Sequence, residues 1–221
     1  MTLELRAISY RYAGARRNAI EGVDLSIGDG EIVGLVGPNE AGKTTTCLVA
    51  SGFAPVSIGG ELTGEVLLDG APLRPRAPWE LAGRTGLLLE DARRTGMTAT
   101  VLEEVAFGPV NLGLEVEDTL DRAHWAMNAL GIDALAERAP TNLSGGQSRL
   151  VAIASILSMR PRLLVLDEPV GELDADARRR LVDVLRRIAA DGASVLVAEH
   201  DIDFLTALGS RIVTVRDGRL A

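Results

Sequence analysis

The sequence predicts an α/β fold with a mostly parallel central sheet, an N-terminal antiparallel β subdomain and an inserted helical subdomain. Three observations lead to this prediction. Buried-strand patterns alternate with helical patterns towards the end of the chain. The first segments instead alternate apolar and polar residues with a period of two, as half-exposed strands do. The middle of the chain carries helical periodicity and no convincing long strand.

The first third of the chain contains the predicted antiparallel strands and one buried strand. The segments LELRAISYRY and VDLSI alternate apolar and polar residues, whereas Ile32–Val36 is apolar throughout, as expected of a central strand. Beyond Gly37, residues Lys43 to Ala50 predict a helix that stops near Gly52. The segment ELTGEVLLDG predicts a further strand that ends in an Asp-Gly turn.

The middle of the chain, from about Gly96 to Met159, predicts helices. One stripe of apolar residues at spacings of three and four fits one face of a helix that stops at Gly131. The members of this stripe are Val116, Leu120, Ala123, Met127 and Leu130. A similar stripe begins at Leu150, after the sequence SGGQ.

The end of the chain returns to alternating strands and helices. The apolar runs Leu163–Leu166, Ser194–Ala198 and Ile212–Val215 predict strands, and Ala175–Ala190 predicts a helix. Buried strands separated by helices imply parallel pairing through right-handed crossovers.

The length of 221 residues fits one large domain with a subdomain. We therefore predict a single domain with a core of residues 1–95 and 160–221 and a helical subdomain of residues 96–159.

The composition bounds the classes of function and the compartment. A formal charge of −8 argues against a nucleic-acid surface, which needs a basic stripe. Cys47 is the single cysteine, which fits a reducing compartment. The N-terminus lacks the apolar run of a signal peptide, and no window approaches the ~20 apolar residues of a membrane span. We expect a cytoplasmic protein.

The segment Gly37–Thr44 reads GPNEAGKT and matches G-x-x-x-x-G-K-[ST] between a predicted strand and a predicted helix. In such a loop consecutive backbone N–H groups surround phosphate oxygens, and the helix N-terminus adds partial positive charge. Lys43 is expected to reach the β- and γ-phosphates, and the Thr44 hydroxyl to ligate Mg²⁺. The other loop residues expected at the phosphates are Asn39, Glu40, Ala41 and Gly42.

Acidic side chains follow a second buried strand. Asp167 and Glu168 end the run LLVLDE, and His200 follows the strand Ser194–Ala198 in a similar way. Ligands of an open parallel sheet lie at the carboxyl ends of its strands, where Gly37 also lies. Asp167 suits a metal ion, directly or through water, and Glu168 suits activation of an attacking water. His200 could hydrogen-bond the γ-phosphate or that water.

A second candidate anion site is the segment Leu143–Gln147, which reads LSGGQ. Two glycines at a helix start cost conformational entropy, so they indicate a close approach by another group. We expect Ser144, Gly145, Gly146 and Gln147 to face an anion. A capped helix start explains Ser144 but neither the glycines nor Gln147.

Together these motifs resemble the nucleotide-binding domain of ABC ATPases, along nearly the whole chain and in the family's order. Gly37–Thr45 resembles the Walker A loop, so that Thr45 joins the candidate ATP ligands, and Leu143–Gln147 resembles the signature. Leu163–Glu168 resembles the Walker B strand, and Gly171–Asp174 resembles the D-loop. His200 resembles the switch histidine. The resemblance implies a P-loop NTPase fold and Mg²⁺-dependent ATP hydrolysis.

Further roles rest on this resemblance alone. Tyr12 matches the aromatic residue that stacks on adenine, although Tyr10 is nearby and either ring could pack within a strand. Asp174 matches the D-loop aspartate at the ATP site. The family pairs two such domains head to tail, so each signature closes on the ATP of the other. The expected partners are a second ABC ATPase and a transmembrane protein, with the chain peripheral on the inner face of the membrane.

The segment Thr100–Pro109, followed by NLGL, resembles ATPases of energy-coupling factor and cobalt-type importers, which take up vitamins or metal ions. Two residues depart from the family. Glu40 occupies a position where most relatives have Gly, and a positive φ there would be strained. Glu90 replaces the Q-loop glutamine; its carboxylate retains an oxygen for Mg²⁺ but lacks the amide donor.

Two alternative functions remain open at this point. Glu40 and Glu90 favour a catalytically weak nucleotide-binding half of a heterodimer, whereas Glu168 and His200 oppose it. The sequence NEAGK resembles loops of DNA-repair ABC ATPases, but the gap between Lys43 and the signature carries no heptads for the coiled coil of that class.

Overall fold

The structure is a computed structural model that describes residues 3–74, 77–90 and 97–220. Within these residues the chain forms strands and α-helices in the following order. The strands are β1 Leu3–Arg11, β2 Ile20–Ile27, β3 Ile32–Val36, β4 Glu61–Leu68, β5 Ala71–Pro72, β6 Thr85–Leu88, β7 Leu163–Asp167, β8 Ser194–Ala198, β9 Arg211–Arg216 and β10 Arg219–Leu220. The helices are α1 Lys43–Ala50, α2 Val101–Asn111, α3 Val116–Leu130, α4 Gly145–Ser158, α5 Ala175–Ala190 and α6 Ile202–Leu208.

The central sheet has the order β10-β9-β3-β8-β7-β6. Its strands pair in parallel except β10, which pairs antiparallel with β9. The predicted mostly parallel sheet is confirmed. Because β3, β7 and β8 run in the same direction, their carboxyl ends lie at one edge, where Asp167 is level with Ala198.

The second sheet is antiparallel and has the order β2-β1-β4-β5. The period-two pattern of β1 is interrupted at Ala7, which has a φ of 48° and marks an irregularity in the pairing with both neighbours. Apolar side chains on either side of this bulge, such as Leu5 and Ile8, remain buried. The predicted N-terminal antiparallel subdomain is confirmed.

Helices α2, α3 and α4 pack against one another, as the helical periodicity predicts. Gly131 ends α3 in the left-handed conformation, with a φ of 69°. The predicted stripe on α3 is buried only from Ala123 onwards. At the start of the helix Val116 is 74% exposed and Leu120 is exposed, whereas Thr119 is the buried residue there.

Three elements of the parallel sheet region were not predicted. Strand β6 is a four-residue edge strand, helix α6 spans seven residues, and strand β10 has two residues. The predicted subdomain boundary at 95/96 lies in residues 91–96, outside the described residues, so the division of the domain stays a prediction. Among the described helices, none combines the length and apolar character that a membrane crossing requires.

Candidate active site

A cleft of about 1240 Å³ lies at the edge where the parallel strands end. Its wall is formed by the loop between β1 and β2, the loop between β3 and α1, residues that follow β6, β7 and β8, and the turn between β9 and β10. The cleft brings together most of the residues that the sequence predicts at the nucleotide. These are Tyr12, Asn39, Glu40, Gly42, Lys43, Thr44, Thr45, Glu90, Glu168 and His200.

The loop after β3 leaves the start of α1 without a side-chain cap. Gly42 occupies the N-cap position with a φ of 107°, and no acidic residue lies in the first turn. Nζ of Lys43 donates to the main-chain oxygens of Gly37 at 2.9 Å and Pro38 at 3.1 Å, so the ammonium is held over its own loop. Uncapped amides beside a fixed cation form an anion site.

The glycines of this loop are required by close packing. A Cβ added to Gly37 would lie 2.2 Å from the main-chain oxygen of Val215, and one added to Gly42 would lie 3.0 Å from that of Ala19. Ala41 is buried, and its main-chain oxygen accepts a hydrogen bond from the N–H of Gly218 at 2.9 Å. The loop is thus clamped between the start of β2 and the turn that joins β9 to β10.

Glu40 is exposed at the rim of the cleft and has a φ of 63°. The positive φ considered from the sequence is therefore present. A non-glycine residue in this conformation costs about 1 kcal/mol. The loop nevertheless keeps its packing against the turn after β9.

Asp167, at the end of β7, lies beneath the loop and is 1% exposed. The Thr44 hydroxyl donates to its carboxylate, but burial is the larger effect and raises the pKa of Asp167 above its ordinary value. Its Oδ2 atom is buried without a hydrogen-bond partner among the described residues. The Thr44 hydroxyl and the unpartnered oxygen of the Asp167 carboxylate are a donor set that fits a hard cation.

Cys47 packs next to Asp167 and is fully buried. Burial, reinforced by the Asp167 carboxylate, raises the pKa of the Cys47 thiol well above its ordinary value. The side chain is an unreactive part of the core.

Glu168 and His200 meet above this floor. Nδ1 of His200 lies 3.9 Å from Oε1 of Glu168. The same nitrogen lies 2.9 Å from Oε1 of Glu199, a fully buried carboxylate that also accepts the N–H groups of His200 and Asp201. The sequence reasoning missed Glu199, although the signal was available: Glu199 follows β8 as the chosen Glu168 follows β7.

Comparison with known proteins places this arrangement in a family. The sequence profile described as ABC transporter matches residues 20–171, which is more than half of the chain. The chain belongs to the ABC transporter ATP-binding family. An energy-coupling factor transporter ATP-binding protein EcfA of Methanosphaera stadtmanae is 34% identical over 220 residues, which cover 99% of this chain and 77% of that protein.

Two solved ABC cassettes have the same fold. The dimeric ABC transporter cassette MJ0796 is 26% identical, with a TM-score of 0.87 over 99% of this chain and 96% of its own. The same cassette is also known in a dimeric post-hydrolysis state with ADP and phosphate. The cbiO1 protein of Clostridium perfringens, part of the transporter complex cbiONQ, is 27% identical, with a TM-score of 0.82 over 99% of this chain and 86% of its own. This ABC protein is an ATP-binding transporter subunit and an ATPase.

The two tyrosines of this ABC ATPase occupy different environments. Tyr10 is fully buried in β1, and burial raises the pKa of its hydroxyl. Tyr12 lines the cleft, and its hydroxyl forms a hydrogen bond of 3.0 Å with Oγ1 of Thr45. The rings pack edge to face with centroids 5.0 Å apart. Of the two, only Tyr12 is open to the cleft.

The signature segment lies apart from the phosphate loop. Gly145 lines a smaller cavity of about 190 Å³ with Glu90, Glu168 and Glu172. Ser144 caps α4 by accepting the N–H of Gln147, whose Oε1 accepts the N–H of Ser144 in return. The prediction that a capped helix start leaves Gln147 unexplained is therefore wrong, because the capping box uses both Ser144 and Gln147.

The signature glycines are explained by the D-loop of the same chain. A Cβ on Gly145 would lie 1.8 Å from Oε2 of Glu172, and one on Gly146 would lie 2.6 Å from the main-chain oxygen of Glu172. Asp174 caps α5, where its Oδ1 accepts the N–H of Ala177 at 2.8 Å, and it does not line the cleft. Within one chain, Asp174 and the signature are therefore outside the nucleotide cleft.

Proposed function

We propose that this chain is the ATP-hydrolysing motor subunit of an importer of the energy-coupling type, with Glu168 as the general base. The observation that carries the proposal is the position of Glu168. Its carboxylate lines the same cleft as Lys43 and lies 3.9 Å from Nδ1 of His200. A carboxylate beside a phosphate site can accept the proton of an attacking water.

The surrounding residues then have distinct roles. The amides of residues 39–45 and the Lys43 ammonium hold the phosphates. Tyr12 stacks on the base. His200 contacts the γ-phosphate or the water, and Glu199 fixes the ring of His200 through Nδ1. With Nδ1 occupied in this way, Nε2 is the nitrogen left to face the substrate.

Mg²⁺ fits the donor set at the floor of the cleft. Thr44 and Asp167 would hold the ion together with phosphate oxygens, and Glu90 at the rim would supply a further oxygen. The bound ion would offset the negative charge that the triphosphate brings next to the carboxylates of Asp167 and Glu168.

A second copy or a related ABC ATPase would complete the site. The signature residues Ser144–Gln147 and Asp174 lie outside the cleft of their own chain, so in a head-to-tail pair they would face the nucleotide of the partner. The dimeric state of the MJ0796 cassette supports this arrangement.

An apolar surface on the helical region would receive a helix of a membrane coupling protein. Phe107 and Val110 on α2 and Val116 on α3 are exposed large apolar side chains near one another in sequence. Exposed apolar groups of this kind favour a protein partner. The similarity to EcfA and to cbiO1 supports a vitamin or metal ion as the imported substrate.

The catalytic role is tested by the substitution Glu168→Gln. We expect ATP hydrolysis to fall about 100-fold or more while ATP binding, measured by titration calorimetry, is retained. The exposed Glu117→Gln on α3 is the matched control and should hydrolyse ATP at the wild-type rate. Steady turnover by Glu168→Gln would overturn the assignment.

The membrane partner is tested by reconstituting the chain with a coupling membrane protein in liposomes. The double variant Phe107→Glu/Val110→Glu should lose the stimulation of ATP hydrolysis that the membrane protein causes. His124→Glu, at an exposed position on α3, should keep it. Equal stimulation of both variants would show that this surface is not the contact.

A second candidate, the weak half of a heterodimer, is favoured by the strained Glu40 and by Glu90 at the rim of the cleft. On that hypothesis the isolated chain binds ATP but turns it over only when mixed with a different ABC ATPase chain. Hydrolysis by the chain alone would exclude it.

A further inference from the structure

Arg149 is a buried arginine on the second turn of α4 and is 8% exposed. Its Nη1 donates to the main-chain oxygens of Leu89 at 3.0 Å and Glu90 at 2.6 Å. Its Nη2 donates to those of Asp167 at 3.0 Å and of Glu168. One guanidinium thus joins the signature helix to the ends of two strands.

Four carboxylates around Arg149 oppose the effect of its burial on its pKa. Burial lowers the pKa of Arg149 below its ordinary value, and the carboxylates of Asp167, Glu90, Glu172 and Glu199 oppose that shift. Its Nε is buried without a hydrogen-bond partner among the described residues. The other two guanidinium nitrogens form four hydrogen bonds to main-chain carbonyls, which offset the unsatisfied Nε. A lysine cannot reproduce this forked arrangement of donors.

The peptide that Arg149 holds is strained. Glu168 has a φ of 50°, a left-handed conformation that disfavours side chains larger than glycine. Its N–H donates to Ala198 at 2.8 Å, and its carbonyl accepts from Arg149. These two bonds bracket the strained residue, because they fix the peptide on both sides of its Cα atom.

We propose that Arg149 is a positioning residue that fixes the main chain of Glu168 and Glu90 and ties both to the start of the signature helix. The inference rests on the proposed role of Glu168. In a head-to-tail pair, Glu168 would face the nucleotide of its own chain and the signature would face the nucleotide of the partner. Arg149 would then connect these two sites within one chain. A displacement of α4 would reach the main chain of Glu168 through the Arg149 side chain.

The test compares Arg149→Lys and Arg149→Gln with the wild-type chain in steady-state ATP hydrolysis. We expect Arg149→Gln to lower kcat about 100-fold, because small displacements of reacting groups cost this much, while the KM for ATP stays within about twofold. Arg149→Lys retains the charge but not the forked donors of the guanidinium, so its kcat should lie between those of the wild type and Arg149→Gln. The exposed Arg186→Gln on α5 should match the wild type.

Thermal unfolding and ATP titration separate positioning from folding. If the kcat and the ATP-binding fraction of both variants fall in the same proportion, Arg149 is only structural and the inference fails. It also fails if both variants turn over ATP at the wild-type rate. Wild-type turnover by Arg149→Gln beside an inactive Glu168→Gln would overturn this inference alone, whereas an active Glu168→Gln would overturn the proposed base.

Discussion

Two glycine-rich helix starts in this molecule are built in opposite ways. The start of α1 has a glycine N-cap with no side-chain cap, and the ammonium of Lys43 is held beside it. The start of α4 is capped by Ser144 and Gln147, and the carboxylate of Glu172 lies against Gly145. In the single chain the start of α1 is open to an anion, whereas the start of α4 is already covered by the carboxylate of Glu172. Glycine content therefore does not tell which helix start binds a ligand.

The largest expected effect is that of a substitution at the start of α1. Lys43→Gln removes the cation and should weaken ATP binding about 100-fold, because the phosphates lose a desolvated charge partner. Titration calorimetry measures the change. The substitution also removes the bonds of Nζ to the main-chain oxygens of Gly37 and Pro38, so thermal unfolding is measured beside the titration to show that the variant is folded. Unchanged affinity would show that the amides alone hold the phosphates.

The next effect separates the two signature glycines. Gly146→Ala should lower the free energy of unfolding by about 1–3 kcal/mol, because its new methyl group meets the main chain of Glu172. Gly145→Ala meets only the end of the Glu172 side chain, which can move, so it should cost less. Urea denaturation measures both values. An equal cost at the two positions would contradict this account of the glycines.

A smaller effect concerns the cap of α4. Ser144→Ala removes one acceptor of the capping box and should cost about 1 kcal/mol, equivalent to a Tm lower by roughly 2–4 °C. The binding of ATP to the single chain should not change, because Ser144 lies outside the cleft. A loss of ATP affinity in a dilute, monomeric sample would place the signature at the nucleotide of its own chain.

The smallest expected effect concerns Glu40, in the loop before α1. Glu40→Gly relieves the positive φ and removes a carboxylate near the phosphates, so ATP affinity should rise a few-fold. Glu40→Gln retains the strained backbone and isolates the contribution of charge. Weaker binding by Glu40→Gly would mean that the side chain supports the loop.

Much of this architecture could be predicted because its signals are local. Helix α1 and helix α5 have the bounds that capping and periodicity predict, and strands β3, β7 and β8 are continuous apolar runs. The order of the motifs along the chain can be recognised without any tertiary contact. Strand β6 was not predicted because only two of its four residues are aliphatic, so it does not form a continuous apolar run.

The contacts that tune the candidate site could not be predicted, because they join segments distant in the sequence. Arg149 bonds to carbonyls some 60 residues earlier, at Leu89 and Glu90. Glu172 covers Gly145 only because the loop between β7 and α5 packs against the start of α4. Glu199 is different: its place after a buried strand is visible in the sequence, but only its burial shows that it contacts His200.

The burial of Cys47 makes this chain suitable for site-specific labelling. Its thiol is the only one in the sequence, is inaccessible and has a raised pKa, so it should not compete for a maleimide dye. Asp217 is exposed on the turn that clamps the phosphate loop and lines the cleft. A fluorophore attached to Asp217→Cys would therefore report nucleotide arrival and departure in real time, without removing any native cysteine.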